Sequence, residues 1–287
     1  MSIKTILVPV DGTETSRAAL DVAFMVGRDL VAHVDVLHVA TDSKDAVPLL
    51  GEGMSAAIIE EMIQLAENES SERTARAVAM YEDARNRFGL DAQEAPPLGD
   101  GGSTALIQCV GREDEMTAAR GRLADLVVAT RPTAQSEATL TMTINAALFE
   151  TGRPVLVAPP KTPETLGKKI AVSWNGSAEA SRAVAAAMPL IVRSQGVVIM
   201  TAENDRTLSE VAPELATYFA WHGVNAEIRS LPGGSQVGHV LLEDCLAVGA
   251  DLLVMGAYTH SRMLQLILGG VTKHVLASAE LPVLMAH

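Results

Sequence analysis

Short runs of Val, Ile and Leu recur along the chain, and helix-length, alanine-rich stretches separate them. In the first half the runs read as strands near residues 3–10, 34–40, 90–95, 125–130 and 154–158. In the second half they fall near 168–174, 196–202, 224–230, 251–256 and 282–286. Strands that alternate with helices need crossover connections, and such crossovers build a parallel sheet covered on both faces. The fold expected is α/β: two tandem doubly wound domains, each a five-stranded parallel sheet in the order 3-2-1-4-5 flanked by helices.

The halves repeat one another in order. Ile6-Leu7-Val8-Pro9-Val10-Asp11-Gly12-Thr13 returns as Ile170-Ala171-Val172-Ser173-Trp174-Asn175-Gly176-Ser177, and Ala124-Asp125-Leu126 returns as Ala250-Asp251-Leu252. Pro154-Val155-Leu156 returns as Pro282-Val283-Leu284. A preserved order of this kind marks a duplication. The Pro- and Gly-containing stretch Lys161–Gly167 reads as a linker, which gives domains at 1–160 and 167–287. Gly101-Gly102-Ser103 matches Gly233-Gly234-Ser235, and both triplets read as turns in which the serine caps a helix. The opening strands are offset by 164 residues and these triplets by 132, so about 32 extra residues lie in the first half. They fall in Met54–Phe88 (an insertion at about 50–90), which is free of Gly and Pro and reads as one long helix or two stacked ones.

Composition narrows the function classes. A net charge of −13 argues against nucleic acid or an anionic membrane as partner. Cys109 and Cys245 form no C-x-x-C pair, so neither a disulfide framework nor a structural zinc site is expected. No apolar run approaches the ~18 residues of a spanning helix, and a cytoplasmic protein is expected. There is no G-x-x-x-x-G-K-[ST] loop and no G-x-S-x-G elbow. The seven histidines are dispersed, and no acid and base stand poised for catalysis. No catalytic residue is assigned, and the chemistry expected is at most slow ATP hydrolysis.

In a parallel α/β sheet a ligand settles beyond the carboxyl ends of the strands, where the strand order reverses. That directs attention to Met255-Gly256-Ala257-Tyr258-Thr259-His260 after the fourth strand of the second half, and to Gly269-Gly270-Val271-Thr272 beyond it. Glycines there let backbone approach a phosphate, and the N–H groups of the following helix point at it. With the duplicated strand pattern, these residues resemble the universal stress protein family over essentially the whole chain, in two copies. The segment is similar to that family's nucleotide signature, G-x2-G-x9-G-[ST]. Gly256 and Gly269 match, Thr259 replaces the second glycine, and Gly270 stands at the closing Ser/Thr.

The resemblance implies an adenine nucleotide, ATP or AMP, with magnesium only as the companion of ATP. It places the adenosine near Trp174, Asn175 and Thr201; Trp174 either stacks on the adenine or packs in the ordinary way. The first half carries a degenerate version. Thr130 stands in place of Gly256 and Thr141-Met142 opposite Gly269-Gly270, while Val10, Asp11 and Val39 keep the adenosine side. The family also implies a stress-linked protein whose halves form an internal pseudo-dimer by pairing their last strands, with room for a homodimer and for protein partners. Two functions stay open: a nucleotide-binding regulator, or an interaction scaffold acting through Met54–Phe88.

Overall fold

The computed structural model describes residues 2–41, 55–96, 99, 101–132, 138–202, 208–257 and 270–287. The first half runs β1 (Thr5–Pro9), α1 (Glu14–Leu30), β2 (His33–Ala40), α2 (Ala56–Phe88), β3 (Asp91–Ala92), β4 (Ser103–Val110), α3 (Glu113–Gly121), β5 (Leu126–Thr130), α4 (Ala138–Glu150) and β6 (Val155–Ala158). The second runs β7 (Lys169–Ser173), α5 (Ala178–Ile191), β8 (Gly196–Ala202), α6 (Leu208–Trp221), β9 (Ala226–Leu231), α7 (Val237–Ala247), β10 (Leu252–Gly256), α8 (Val271–Ser278) and β11 (Val283–Ala286).

All strands join one 11-stranded sheet in the order β3-β4-β2-β1-β5-β6-β11-β10-β7-β8-β9. The second half is the expected 3-2-1-4-5 arrangement, and the first is the same with one added edge strand. Pairing is parallel throughout each half. At the join β6 and β11 run antiparallel, with Leu156 opposite Leu284. The last strands thus make an internal pseudo-dimer. Antiparallel pairing there has a further consequence: the carboxyl ends of the two half-sheets lie on opposite edges.

Strands buried on both faces explain the unbroken apolar runs. Side chains of α1, α2, α5 and α6 share one core with Val8, Val36, Val172 and Ile199. On the other face α4, α7 and α8 pack on Leu37, Val127, Ala171 and Met200. The recurring Ala-Asp-Leu motif closes the amino edge. Asp125 accepts hydrogen bonds from the backbone N–H groups of Lys4 and Thr5, and Asp251 from those of Lys168 and Lys169. Across the join, Arg131 donates to Ala277 O at the end of α8, and the His287 ring meets Phe149 edge-on at 5.0 Å.

The third strand of the first half departs from expectation. The segment near 90–95 contributes only the two residues of β3, whereas β4 at 103–110 pairs with β2 along its whole length. The β-branched and apolar content of Ser103–Val110 suits a half-buried strand. Ser103 therefore opens a strand and caps no helix. Gly102 is needed for close packing, because a Cβ there would lie 2.7 Å from Gly27 O and 2.7 Å from Leu90 Cδ2. Gly233-Gly234-Ser235, by contrast, follows its third strand, and Gln236 rather than Ser235 is the N-cap of α7. The two triplets flank opposite ends of the third strand, so they are not repeat equivalents. The inserted stretch is correspondingly longer than about 32 residues: residues 41–102 link β2 to β4, against 203–225 between β8 and β9.

Within that stretch α2 is a single 33-residue helix capped by Ser55, about 50 Å long at 1.5 Å per residue. Its second half is core, with Ala77, Met80, Tyr81 and Ala84 buried. Its first turns carry exposed Ile58 and Leu65. Buried Asp21 of α1 clamps the assembly, accepting from Arg87 of α2 at 2.6 Å and from the linker residue Thr162 at 2.8 Å.

Candidate functional site

The loop after the opening strand is built alike in both halves. Asp11 Oδ1 accepts from Thr13 N–H at 2.9 Å, and Asn175 Oδ1 accepts from Ser177 N–H at 3.1 Å. The glycine between stands at φ +78 (Gly12) or φ +71 (Gly176), a left-handed conformation open mainly to glycine. This turn is what Asp-Gly-Thr and Asn-Gly-Ser have in common. It engages the side-chain oxygen of Asn175 within the protein.

Register then fixes which residues are equivalent. Pro9 lies beside Leu37 and Ser173 beside Met200. Val10 N–H donates to Leu37 O, and Trp174 N–H donates to Met200 O. Trp174 is therefore the counterpart of Val10, and Thr201 that of His38. Val39 was expected to match Thr201, but it belongs to the opposite core, because successive strand residues face opposite sides.

In the first half the His38 side chain at this corner has a protein partner at both ring nitrogens. His38 Nδ1 is 2.8 Å from Val10 O, and its Nε2 is 2.9 Å from Thr74 Oγ1 of α2. Arg76 donates to Gly12 O at 3.2 Å, and a Cβ on Gly12 would meet Arg73 O at 2.4 Å. Helix α2 is packed directly onto the corner. In the second half Thr201 Oγ1, at the position of His38, and the neighbouring Trp174 Nε1 are buried without a hydrogen-bond partner among the described residues. Thr201 is 3% exposed and Trp174 half-buried. A buried polar group without a partner is uncommon and calls for an explanation.

The helix after the fourth strand differs as well. Counted back from β6 and β11, α4 and α8 end at the same place, yet α4 has 13 residues and α8 has 8. Thr141 and Met142, opposite Gly269 and Gly270, therefore lie inside α4, where backbone N–H groups serve the helix. In the second half Gly270 is the N-cap of α8 at φ −66, ψ 161, with no side-chain cap. Helices α2 and α5 have Ser55 and Ser177 accepting from their first turns, whereas α1, α3 and α7, like α8, have no side-chain cap. Any residue adopts the Gly270 backbone conformation; what glycine leaves out there is a capping oxygen.

Gly256 is fixed by packing. A Cβ there would lie 2.6 Å from Ala180 N at the start of α5, whereas Thr130 is accommodated and buried at its counterpart position. Met255 and Thr272 are buried, Met255 within the core, and Val271 packs at its edge. Trp174, Asn175, Thr201, Gly256 and Gly270–Thr272 all lie at one edge of the sheet. Thr259, His260 and Gly269 lie outside the described residues. Val10, Asp11 and Val39 stand on the opposite edge, so Asp11 cannot complete a site with Gly270.

One residue escaped sequence reasoning. Glu113 opens α3 at the carboxyl end of β4, buried, with its Oε1 2.8 Å from Thr143 Oγ1 of α4. Burial above all, with Asp11 and Asp114 nearby, raises its pKa from 4.5 to about 7. Misplacing the third strand hid it, because only the true strand end brings Glu113 to the edge where Asp11 stands. Once ionised, above about pH 7, Glu113 beside Asp11 opposes a phosphate there. Burial also pushes the Cys245 thiol up to about 12, far from a reactive thiolate. Among the described residues, no three His, Cys, Asp or Glu cluster as metal ligands, and no helix is long and apolar enough to cross a membrane.

A duplicated doubly wound sheet, with one switch point in each half, defines a class of α/β proteins. The family model described as "Universal stress protein family" matches residues 2–159 and again 167–287. The chain belongs to the universal stress protein family. Among solved structures it is similar to a universal stress protein from Archaeoglobus fulgidus DSM 4304, at 17% identity, covering 98% of this chain and 97% of that one with a TM-score of 0.66. A putative universal stress protein from Pseudomonas aeruginosa UCBPP-PA14 is 15% identical, with coverage of 98% and 92% and a TM-score of 0.52. These likenesses speak for the fold. Comparison with curated proteins gives no significant match.

Proposed function

We propose that the protein is a stress-response regulator that binds an adenine nucleotide, ATP or AMP, in its second half and not in its first. The reading is supported by Trp174 Nε1 and Thr201 Oγ1, buried at this edge without a hydrogen-bond partner among the described residues, and by the glycine N-cap of α8, which brings no capping oxygen. Strand β10 neighbours β7, and β7 neighbours β8. Two strand spacings separate the α8 side from Thr201, about 10 Å, a span that suits a nucleotide with its phosphate at α8 and its base at Trp174. The first-turn amides of α8 supply donors and a positive dipole end for the phosphate. ATP would bring magnesium with it. The role is binding, and no residue is assigned to catalysis.

The test is nucleotide release from the purified, heat-denatured protein, together with the melting temperature in millimolar ATP or AMP. Gly270→Asp sharpens it. An aspartate N-cap accepts the first-turn amides itself and repels phosphate, so affinity falls at least ~100-fold while unliganded stability rises by a few tenths of a kcal/mol. Unchanged affinity in that variant rules out α8 as the phosphate site. The exposed Ile58 and Leu65 on α2 favour a second reading, a scaffold for protein partners. Absence of any nucleotide effect on melting would leave that reading standing.

A further inference from the structure

The base end of this site has a recognisable chemistry, and the assignment made for it rests on the nucleotide reading. Trp174 and Thr201 each follow a directly paired residue, Ser173 and Met200, on adjacent strands. Ile199 and Val172 lie in the core beneath α5 and α6, and Trp174 packs on that core. Alternation puts Thr201 on the same face as Trp174. Two buried polar atoms on neighbouring strands thus share one corner, and neither has a partner.

The first half explains what is missing. There His38 occupies the position of Thr201 and bridges Val10 O to Thr74 Oγ1, a group supplied by α2. In the second half no side chain among the described residues takes the place of Thr74 for either Trp174 Nε1 or Thr201 Oγ1. An indole nitrogen is a donor only, whereas a threonine hydroxyl both donates and accepts. A neutral edge with an acceptor beside a second polar atom would satisfy both groups.

We propose that Trp174 reads the ligand by an in-plane hydrogen bond from Nε1 to a ring nitrogen of the base, rather than by stacking on it. Thr201 completes the pair through the neighbouring polar atom of the same heterocycle. The ligand class is a nucleotide whose uncharged base presents a ring-nitrogen acceptor at its edge. In this corner the ligand does what Thr74 of α2 does in the other half.

The experiment is calorimetric titration of the full chain with AMP and with its 1-deaza, 3-deaza and 7-deaza analogues, in which one ring nitrogen becomes C–H. Trp174→Phe keeps an aromatic face and loses the N–H, so AMP binding weakens about tenfold, the worth of one hydrogen bond. One of the three analogues binds wild type about tenfold more weakly than AMP, and it binds Trp174→Phe no more weakly than AMP does. Thr201→Val, nearly isosteric, also weakens AMP without lowering the unliganded melting temperature. Wild-type affinity in Trp174→Phe with a large loss in Trp174→Ala would establish stacking and overturn the proposal. Failure of wild type to bind AMP or ATP at all would overturn the nucleotide reading, and this one with it.

Discussion

The two halves share a sheet, a turn and a duplicated ancestry visible in the sequence, yet their carboxyl edges have opposite chemical character. At the first, α2 lies on the corner, Thr74 satisfies His38, and α4 has grown over the position of the glycine pair. Buried Glu113, its pKa raised to about 7, lies near Asp11 at this edge and takes up negative charge only as the pH rises past that value. At the second, the final helix begins at a glycine N-cap, and Trp174 Nε1 and Thr201 Oγ1 have no partner among the described residues. The same fold thus fills one edge with its own side chains and leaves two buried polar atoms unmatched at the other.

Exchanging residues between the halves tests that contrast most severely. Gly256→Thr, which installs the residue of the first half, forces a side chain onto the start of α5, where even a Cβ would lie 2.6 Å from Ala180 N. A loss of roughly 4 kcal/mol is expected, measured by urea unfolding. The reciprocal Thr130→Gly should cost only about 1–2 kcal/mol. Equal losses would mean that the two strand ends are packed alike.

Glu113→Gln comes next. Its carboxyl rises from 4.5 in the unfolded chain to about 7 in the folded one, so the folded state binds more protons between those values. Stability from this group is therefore greatest below pH 4.5, declines as the pH passes toward 7, and levels off about 3 kcal/mol lower. Thr143 Oγ1 lies near both Glu113 Oε1 and Thr139 O, and its single proton reaches one of them. A protonated Glu113 donates to Thr143 and leaves that proton for Thr139 O. Glutamine also donates, so the variant should be more stable than wild type at pH 8 and show a flatter profile. An unaltered pH profile would remove Glu113 as its cause.

The smallest effects oppose one another at equivalent positions. Thr74→Val takes away the partner of His38 Nε2 and should cost about 1–2 kcal/mol. Thr201→Val removes a hydroxyl that has no partner, so the unliganded protein should be unchanged or up to about 1 kcal/mol more stable. A matching loss in both variants would mean that Thr201 is satisfied after all.

Much of this molecule was legible in its residues. Strand runs and the ordered repeat gave the doubly wound halves, and the Gly- and Pro-free stretch gave the long helix. Asp-Gly-Thr and Asn-Gly-Ser were visible as a shared motif, although their common role is a turn. The third strand of the first half misled, because Gly-Gly-Ser repeats by identity and not by place. That error concealed Glu113.

Local pattern sufficed for element type and for duplication, since apolar spacing and turn residues act over a few neighbouring positions. Only the folded chain decided that α2 lies against the first corner and that Asp11 and Gly270 stand on opposite edges. Antiparallel pairing of β6 with β11 sets that separation, and it joins strands 128 residues apart in sequence at Leu156 and Leu284. Whether a buried hydroxyl or indole N–H has a partner likewise depends on side chains brought from distant elements, and no local spacing encodes that.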